Sequence, residues 1–130
     1  MSKIFIVGSI NMDLTINTDI VPDGGMTVTG YGFLTNPGGK GANQAVAVAK
    51  SGGNAVMVGC VGNAFGKELA DTLSGYGVDA SQVAVKADVS SGIAVIVVND
   101  GENRIILDRG ANAYVTPQMA EQALSGAHAG

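Results

Sequence analysis

Twenty of the 130 residues are glycine, about twice the usual share, and where they stand constrains the fold more than how many there are. They form no repeat and no single linker. They sit at the ends of short apolar runs, where a strand must turn abruptly into a helix or another strand. That punctuation predicts an alternating α/β chain with tight connections. Residues 3–9 are a β-branched apolar run with Gly8 at its end, which predicts a buried strand of the parallel kind. Residues 13–18 alternate Leu14 and Ile16 with Thr15 and Asn17, the pattern of a half-exposed strand. Pro22-Asp23-Gly24-Gly25 is a turn, residues 27–34 are extended again, and Asn36-Pro37-Gly38-Gly39 breaks the chain.

From Gly41 onward, Ala42, Ala45, Val46 and Ala49 recur at helical spacing. They predict a helix with a small-residue face, ended by Gly52-Gly53. A second buried strand follows over residues 55–61. A helix over 65–73 has Leu69 and Leu73 inward, and a short strand covers 82–86. Residues 93–98 and 104–107 predict a hairpin across the turn-rich 99–103. Thr116 then caps a helix with Pro117 at its first position. In an α/β sheet each crossover helix leads to a further strand. The final helix has none, so the sequence reads as stopping within a domain.

Composition removes several function classes. Net charge is -4, and the seven Lys and Arg residues are scattered, whereas a nucleic-acid surface needs them clustered. The single cysteine, Cys60, allows no internal disulfide and fits a reducing compartment. No apolar run is long enough for a membrane span. The first residues read as a strand rather than a signal peptide, which predicts a cytoplasmic protein. His128 shows no partner and reads as solvated.

Two clusters carry candidate chemistry. Gly8-Ser9-Ile10-Asn11-Met12-Asp13 lies beyond the C-terminal end of the first strand, where open α/β sheets bind ligands. Asn11 and Asp13 are two apart, so an extended segment points both to one face. A carboxylate accepts hydrogen bonds and an amide both donates and accepts, which suits neighbouring hydroxyls of a polyol. The same pair also reads as turn residues that satisfy their own backbone. The second cluster is Gly38-Gly39-Lys40-Gly41-Ala42-Asn43-Gln44. Bare backbone before a helix lets a ligand come close to free N–H donors. It also reads as a helix start with Lys40 in solvent. It is not a P-loop, because Leu34 stands where that motif needs glycine and Gly41 where it needs Ser or Thr. Cys60 reads as a small core hydrophobe.

The Gly38–Ala45 stretch, with Gly52 and Gly62 after it, resembles the N-terminal signature of the ribokinase-like (PfkB) carbohydrate kinase family. Gly8–Asp13, Thr27-Val28-Thr29-Gly30, Ser91-Gly92-Ile93-Ala94 and Gly110-Ala111-Asn112 match the same family in order. The resemblance spans essentially the whole chain. It implies an α/β fold, the N-terminal portion of a ribokinase-like fold, with a parallel sheet, flanking helices and a small β-sheet lid. The lid corresponds to roughly 13–34 and 92–107. It implies an ATP-dependent kinase acting on a sugar hydroxyl, D-ribose foremost, with Mg2+ and K+ as further requirements. Carried over by position, Asn11 and Asp13 hold sugar hydroxyls, while Gly39, Lys40 and Asn43 complete the pocket. The lid implies a homodimer through its strands. One face of 93–98 would then cover the sugar and the other meet a partner, although periodicity alone also allows a strand buried in its own core.

The departures set the limits of the resemblance. The family's Gly-Ala-Gly-Asp stretch, with its catalytic base and anion hole, is missing from the sequence, as is the nucleotide-binding segment. The expectation is therefore a sugar-recognition half, with no catalytic, nucleotide or metal residue, inactive as a kinase by itself. Such a cut sheet is also expected to oligomerise or aggregate. Asn99-Asp100-Gly101-Glu102 has the spacing of the family's metal-associated Asn-x-x-Glu but reads as turn chemistry. Met26 stands where the family usually has Glu, and nothing in the sequence explains it. A non-catalytic sugar-binding or dimerisation module, and a family kinase for a nucleoside or ketose, are the competing readings.

Overall fold

The computed structural model describes residues 2–126; His128, read above as solvated, lies outside them. The elements run β1 (Lys3–Val7), β2 (Asn11–Asn17), β3 (Tyr31–Gly38), α1 (Lys40–Lys50), β4 (Asn54–Gly62), α2 (Gly66–Gly75), β5 (Val83–Lys86), β6 (Gly92–Asn99), β7 (Glu102–Asp108) and α3 (Pro117–Ser125). A 3-10 turn at Gly110–Tyr114 precedes α3. The strands form two sheets, a parallel one in the order β1-β4-β5 and a mixed one in the order β3-β2-β6-β7.

The parallel sheet holds the core. β4 is central, and every residue from Ala55 to Gly62 is buried. Helix α1 packs on β1 and β4, and α2 on β4 and α1. Ala42 and Ala45 face inward on α1, so its axis can approach the sheet closely. Leu69 and Leu73, one turn apart on α2, are both buried and join Ile6, Ile10, Met12, Met57 and Val61 in one cluster. The sequence marks the helix ends. Gly52 takes φ 89 after α1, and the Gly53 N–H reaches the Val48 carbonyl at 2.9 Å, closing the last turn. Thr116 caps α3, its hydroxyl accepting from the Met119 N–H at 3.4 Å.

The second sheet joins distant segments. β2 pairs antiparallel with β3 and parallel with β6, and β6 pairs antiparallel with β7. Asn11 lies opposite Gly92, Asp13 opposite Ala94 and Thr15 opposite Ile96. Leu107 and Ile105 follow opposite Ala94 and Ile96.

Five expectations change. β1 is not buried, since it is the edge of its sheet and leaves Ile4 47% and Val7 50% exposed. The first strand pair of the small sheet covers 11–38 rather than 13–34, and the second runs from Gly92 to Asp108. β3 passes through Asn36-Pro37-Gly38 instead of breaking there, because it is an edge strand and a missing N–H is tolerated on an edge. Residues 27–30 stay outside the ladder: β2 ends at Asn17, opposite Tyr31, after a register slip beyond Thr15. The β6–β7 turn is only Asp100-Gly101, with φ 50 and 76, the mirror-image geometry that two-residue hairpins prefer.

Candidate functional site

The chain leaves β1 and enters β2 through Gly8-Ser9-Ile10, and the start of α1 rests directly on that connection. A Cβ on Gly41 would lie 2.7 Å from the Gly8 carbonyl carbon and 2.8 Å from the Ser9 nitrogen. Backbone packs on backbone here, with no room for a methyl group. The Ala42 N–H donates to the Ser9 carbonyl at 3.0 Å. Gly39 has φ 98, a conformation that L-residues avoid. A side chain there would also meet the Ser9 oxygen at 2.6 Å. The glycines of the second cluster thus dock the helix start against the first cluster.

That docking brings Asn11, Asp13, Gly39, Lys40 and Asn43 around one cavity of about 620 Å³. Asn11 and Asp13 share a face of β2, as their spacing predicts. Ala94 and Ile96 of β6 and Ile105 and Leu107 of β7 line the same cavity. They present an apolar wall beside the polar strand.

Asp13 is half-buried. It sits over Gly38, where a Cβ would come within 2.8 Å of its Oδ2. Burial raises its carboxyl above the ordinary value, since removal from water disfavours the charged form. The Asn11 Oδ1 accepts from the Asn112 Nδ2 at 2.8 Å. Lys40 and Arg109 are exposed cations on the cavity wall. A carboxylate acceptor, an amide, peripheral cations and an apolar face suit a small polyhydroxylated molecule, with hydroxyls on one side and C–H groups on the other. Among the described residues no three His, Cys, Asp or Glu side chains gather to hold a metal ion, and no helix is long and apolar enough to cross a membrane.

Sequence reasoning missed three contributors. Asn112 belongs to a motif already singled out, but nothing in its spacing places it beside Asn11. Ser9 stands in the first cluster but had no role assigned to it, and Arg109 carries no signal of its own. Cys60 is 1% exposed, and burial pushes its thiol up despite the charge of Lys86, as befits a core residue.

Comparison with known proteins gives a consistent set of relatives. A model of the pfkB family of carbohydrate kinases matches residues 1–128. A ribokinase of Bacillus subtilis is 42% identical over 125 residues, covering 95% of this chain and 43% of that protein. A ribokinase of Schizosaccharomyces pombe is 47% identical over 123 residues, covering 88% of this chain and 39% of that protein. The structure of an Arabidopsis thaliana ribokinase complexed with ribose and ATP superposes with a TM-score of 0.80 at 36% identity, over 85% of this chain and 36% of that one. The chain therefore spans roughly two fifths of the length of these relatives.

Proposed function

Because this chain belongs to the pfkB family of carbohydrate kinases, we propose that its cavity is the sugar-recognition part of an ATP-dependent ribokinase-type enzyme, with D-ribose the foremost substrate. One observation carries the reading: Asn11 and Asp13 from one strand and Gly39, Lys40 and Asn43 from one helix start share a single cavity. Asp13 accepts from a sugar hydroxyl, Asn11 and Asn43 supply amide groups, and bare backbone at Gly39 lets the ring approach. Ala94, Ile96, Ile105 and Leu107 cover its apolar face and exclude water.

ATP, and the Mg2+ and K+ expected with it, are assigned no residue of this chain. Phosphoryl transfer needs a positioned base and a stabilised triphosphate, and no Gly-Ala-Gly-Asp stretch occurs in the sequence. The chain alone is accordingly inactive as a kinase. The face of the small sheet away from the cavity carries Phe33, Val95 and Ile106, all exposed, which supports a homodimer through these strands.

Calorimetric titration with ribose and a panel of pentoses, hexoses and nucleosides tests the reading. Ribose should bind, and Asp13→Asn should weaken it about tenfold or more, since hydrogen bonds to a charged group carry about 1.5–3 kcal/mol. No heat with any sugar would overturn the assignment. Ribose-dependent ATP consumption by the chain alone would overturn the division of labour.

A further inference from the structure

Asn112 stands outside the residues so far given a role in binding, and it makes more connections than any of them. It lies in the 3-10 turn after β7. That turn is pinned by the buried Ala111, whose N–H donates to the Ser90 carbonyl at 2.8 Å. The Asn112 carboxamide grips Ile10 like a short piece of sheet. Its Oδ1 accepts from the Ile10 N–H at 2.9 Å, and its Nδ2 donates to the Ile10 carbonyl at 3.0 Å. The same Nδ2 donates to the Asn11 Oδ1 at 2.8 Å.

These bonds fix a polarity. A backbone N–H can be met only by an acceptor, so Ile10 dictates which end of Asn112 is oxygen. The other end is then NH2, and its two hydrogens are used by the Ile10 carbonyl and by Asn11. The atom of Asn11 that faces Asn112 must therefore be its oxygen. The Asn11 NH2 is left facing the cavity, and no acceptor among the described residues takes it. Gly92, opposite Asn11 in the ladder, makes the arrangement possible. A Cβ there would overlap both the Asn112 Nδ2 and the Asn11 Oδ1.

We propose that Asn112 is a positioning residue that locks Asn11 with its donor end toward the ligand. The β2 face then presents a donor at Asn11 and an acceptor at Asp13, side by side. That order matches two neighbouring hydroxyls, one accepting from Asn11 while the next donates to Asp13. With Asn11 reversed, the strand would offer two acceptors and suit a cationic ligand instead. The match to a diol rests on the sugar reading above; the orientation of Asn11 does not.

Amide hydrogen exchange by NMR on the ligand-free chain tests the orientation first. The Asn112 side-chain NH2 should exchange slowly and the Asn11 NH2 fast. In Asn112→Leu, similar in size, the Ile10 amide should lose protection. In Asn112→Asp, Ile10 keeps an acceptor but nothing donates to Asn11. Asn11 should turn, and its NH2 should become protected against the new carboxylate, a reversal that a mere spacer cannot produce. Ribose affinity should fall about tenfold or more in both variants. The proposal is overturned if the Asn11 NH2 of the unaltered chain is already as protected as that of Asn112. It also falls if both variants keep ribose affinity within about twofold. Should one variant fail to fold, the unaltered chain and the other still decide the matter. If the exchange pattern holds but ribose does not bind, the sugar reading fails and the orientation stands.

Discussion

In the parallel sheet, β4 has a strand on each side and a helix against it, and its side chains are buried almost end to end. In the mixed sheet, β7 has no buried residue at all, and β3 buries only Gly38. Yet the mixed sheet also carries large apolar side chains. Ile105, Ile106 and Leu107 are as hydrophobic as anything in β4, and Ile106 is 71% exposed. The parallel sheet is stable because its side chains have neighbours. The mixed sheet is held by its ladders and by its root at Gly8–Asp13, where Met12 joins the core and Leu14 and Ile93 pack against it, while its outer strands β3 and β7 stay bare. An exposed apolar surface of that kind marks a place to be covered, which is what the sugar and homodimer proposed above would do.

The contrast can be broken by mutation. Leu69→Ala, 1% exposed, should cost about 2–5 kcal/mol in a denaturant titration. Gly41→Ala comes next. Its new methyl group meets the Gly8 and Ser9 backbone below 3.0 Å, and overpacking of this kind costs about 1–3 kcal/mol. It should also abolish ligand binding, because α1 must move off the Gly8-Ser9-Ile10 connection that leads into Asn11. Ile106→Thr, on the bare strand β7, should change monomer stability by no more than about 0.5 kcal/mol while weakening self-association in sedimentation velocity. A large loss of monomer stability there would mean that the mixed sheet has a core of its own.

The smallest effect is the sharpest. Burial raises the folded-state pKa of Asp13 above its unfolded value, so the folded chain holds this proton more tightly. Its ionisation weighs against folding above the raised pKa, and the penalty disappears as pH falls below the unfolded value. Asp13→Asn should therefore melt slightly higher than the unaltered chain at neutral pH. The difference should shrink on acidification through the carboxylate range. An opposite slope would mean that the carboxylate has a stabilising partner.

How far the sequence revealed this follows the same division. In the parallel sheet the signals are local. Gly52-Gly53 ends α1, Thr116-Pro117 starts α3, and the i, i+4 pair Leu69 and Leu73 shows which side of α2 is inward. The mixed sheet depends on pairings that no local window contains. Nothing near Asn11 announces that it lies opposite Gly92, and nothing near Pro37 announces that its strand is an edge. The same limit governs the site. Asn11 and Asp13 could be placed on one face from a period of two, and Gly39 and Gly41 marked as bare backbone. Asn112 could not be placed, because its role exists only once two segments about a hundred residues apart meet. Phe65, at φ 60 ahead of α2, had no sequence signal of any kind.

Strands β2 and β6 lie side by side and run the same way, yet residues 18–91 separate them along the chain. A parallel neighbour cannot be reached by a tight turn and needs a long return path. Here that path includes β3, α1, β4, α2 and β5, which is most of the molecule. The mixed sheet is therefore not a module: no single continuous segment can be deleted to remove it or grafted to transfer it. A large loop must also close before its middle pair can form, so this sheet inherits its existence from the layer beneath it.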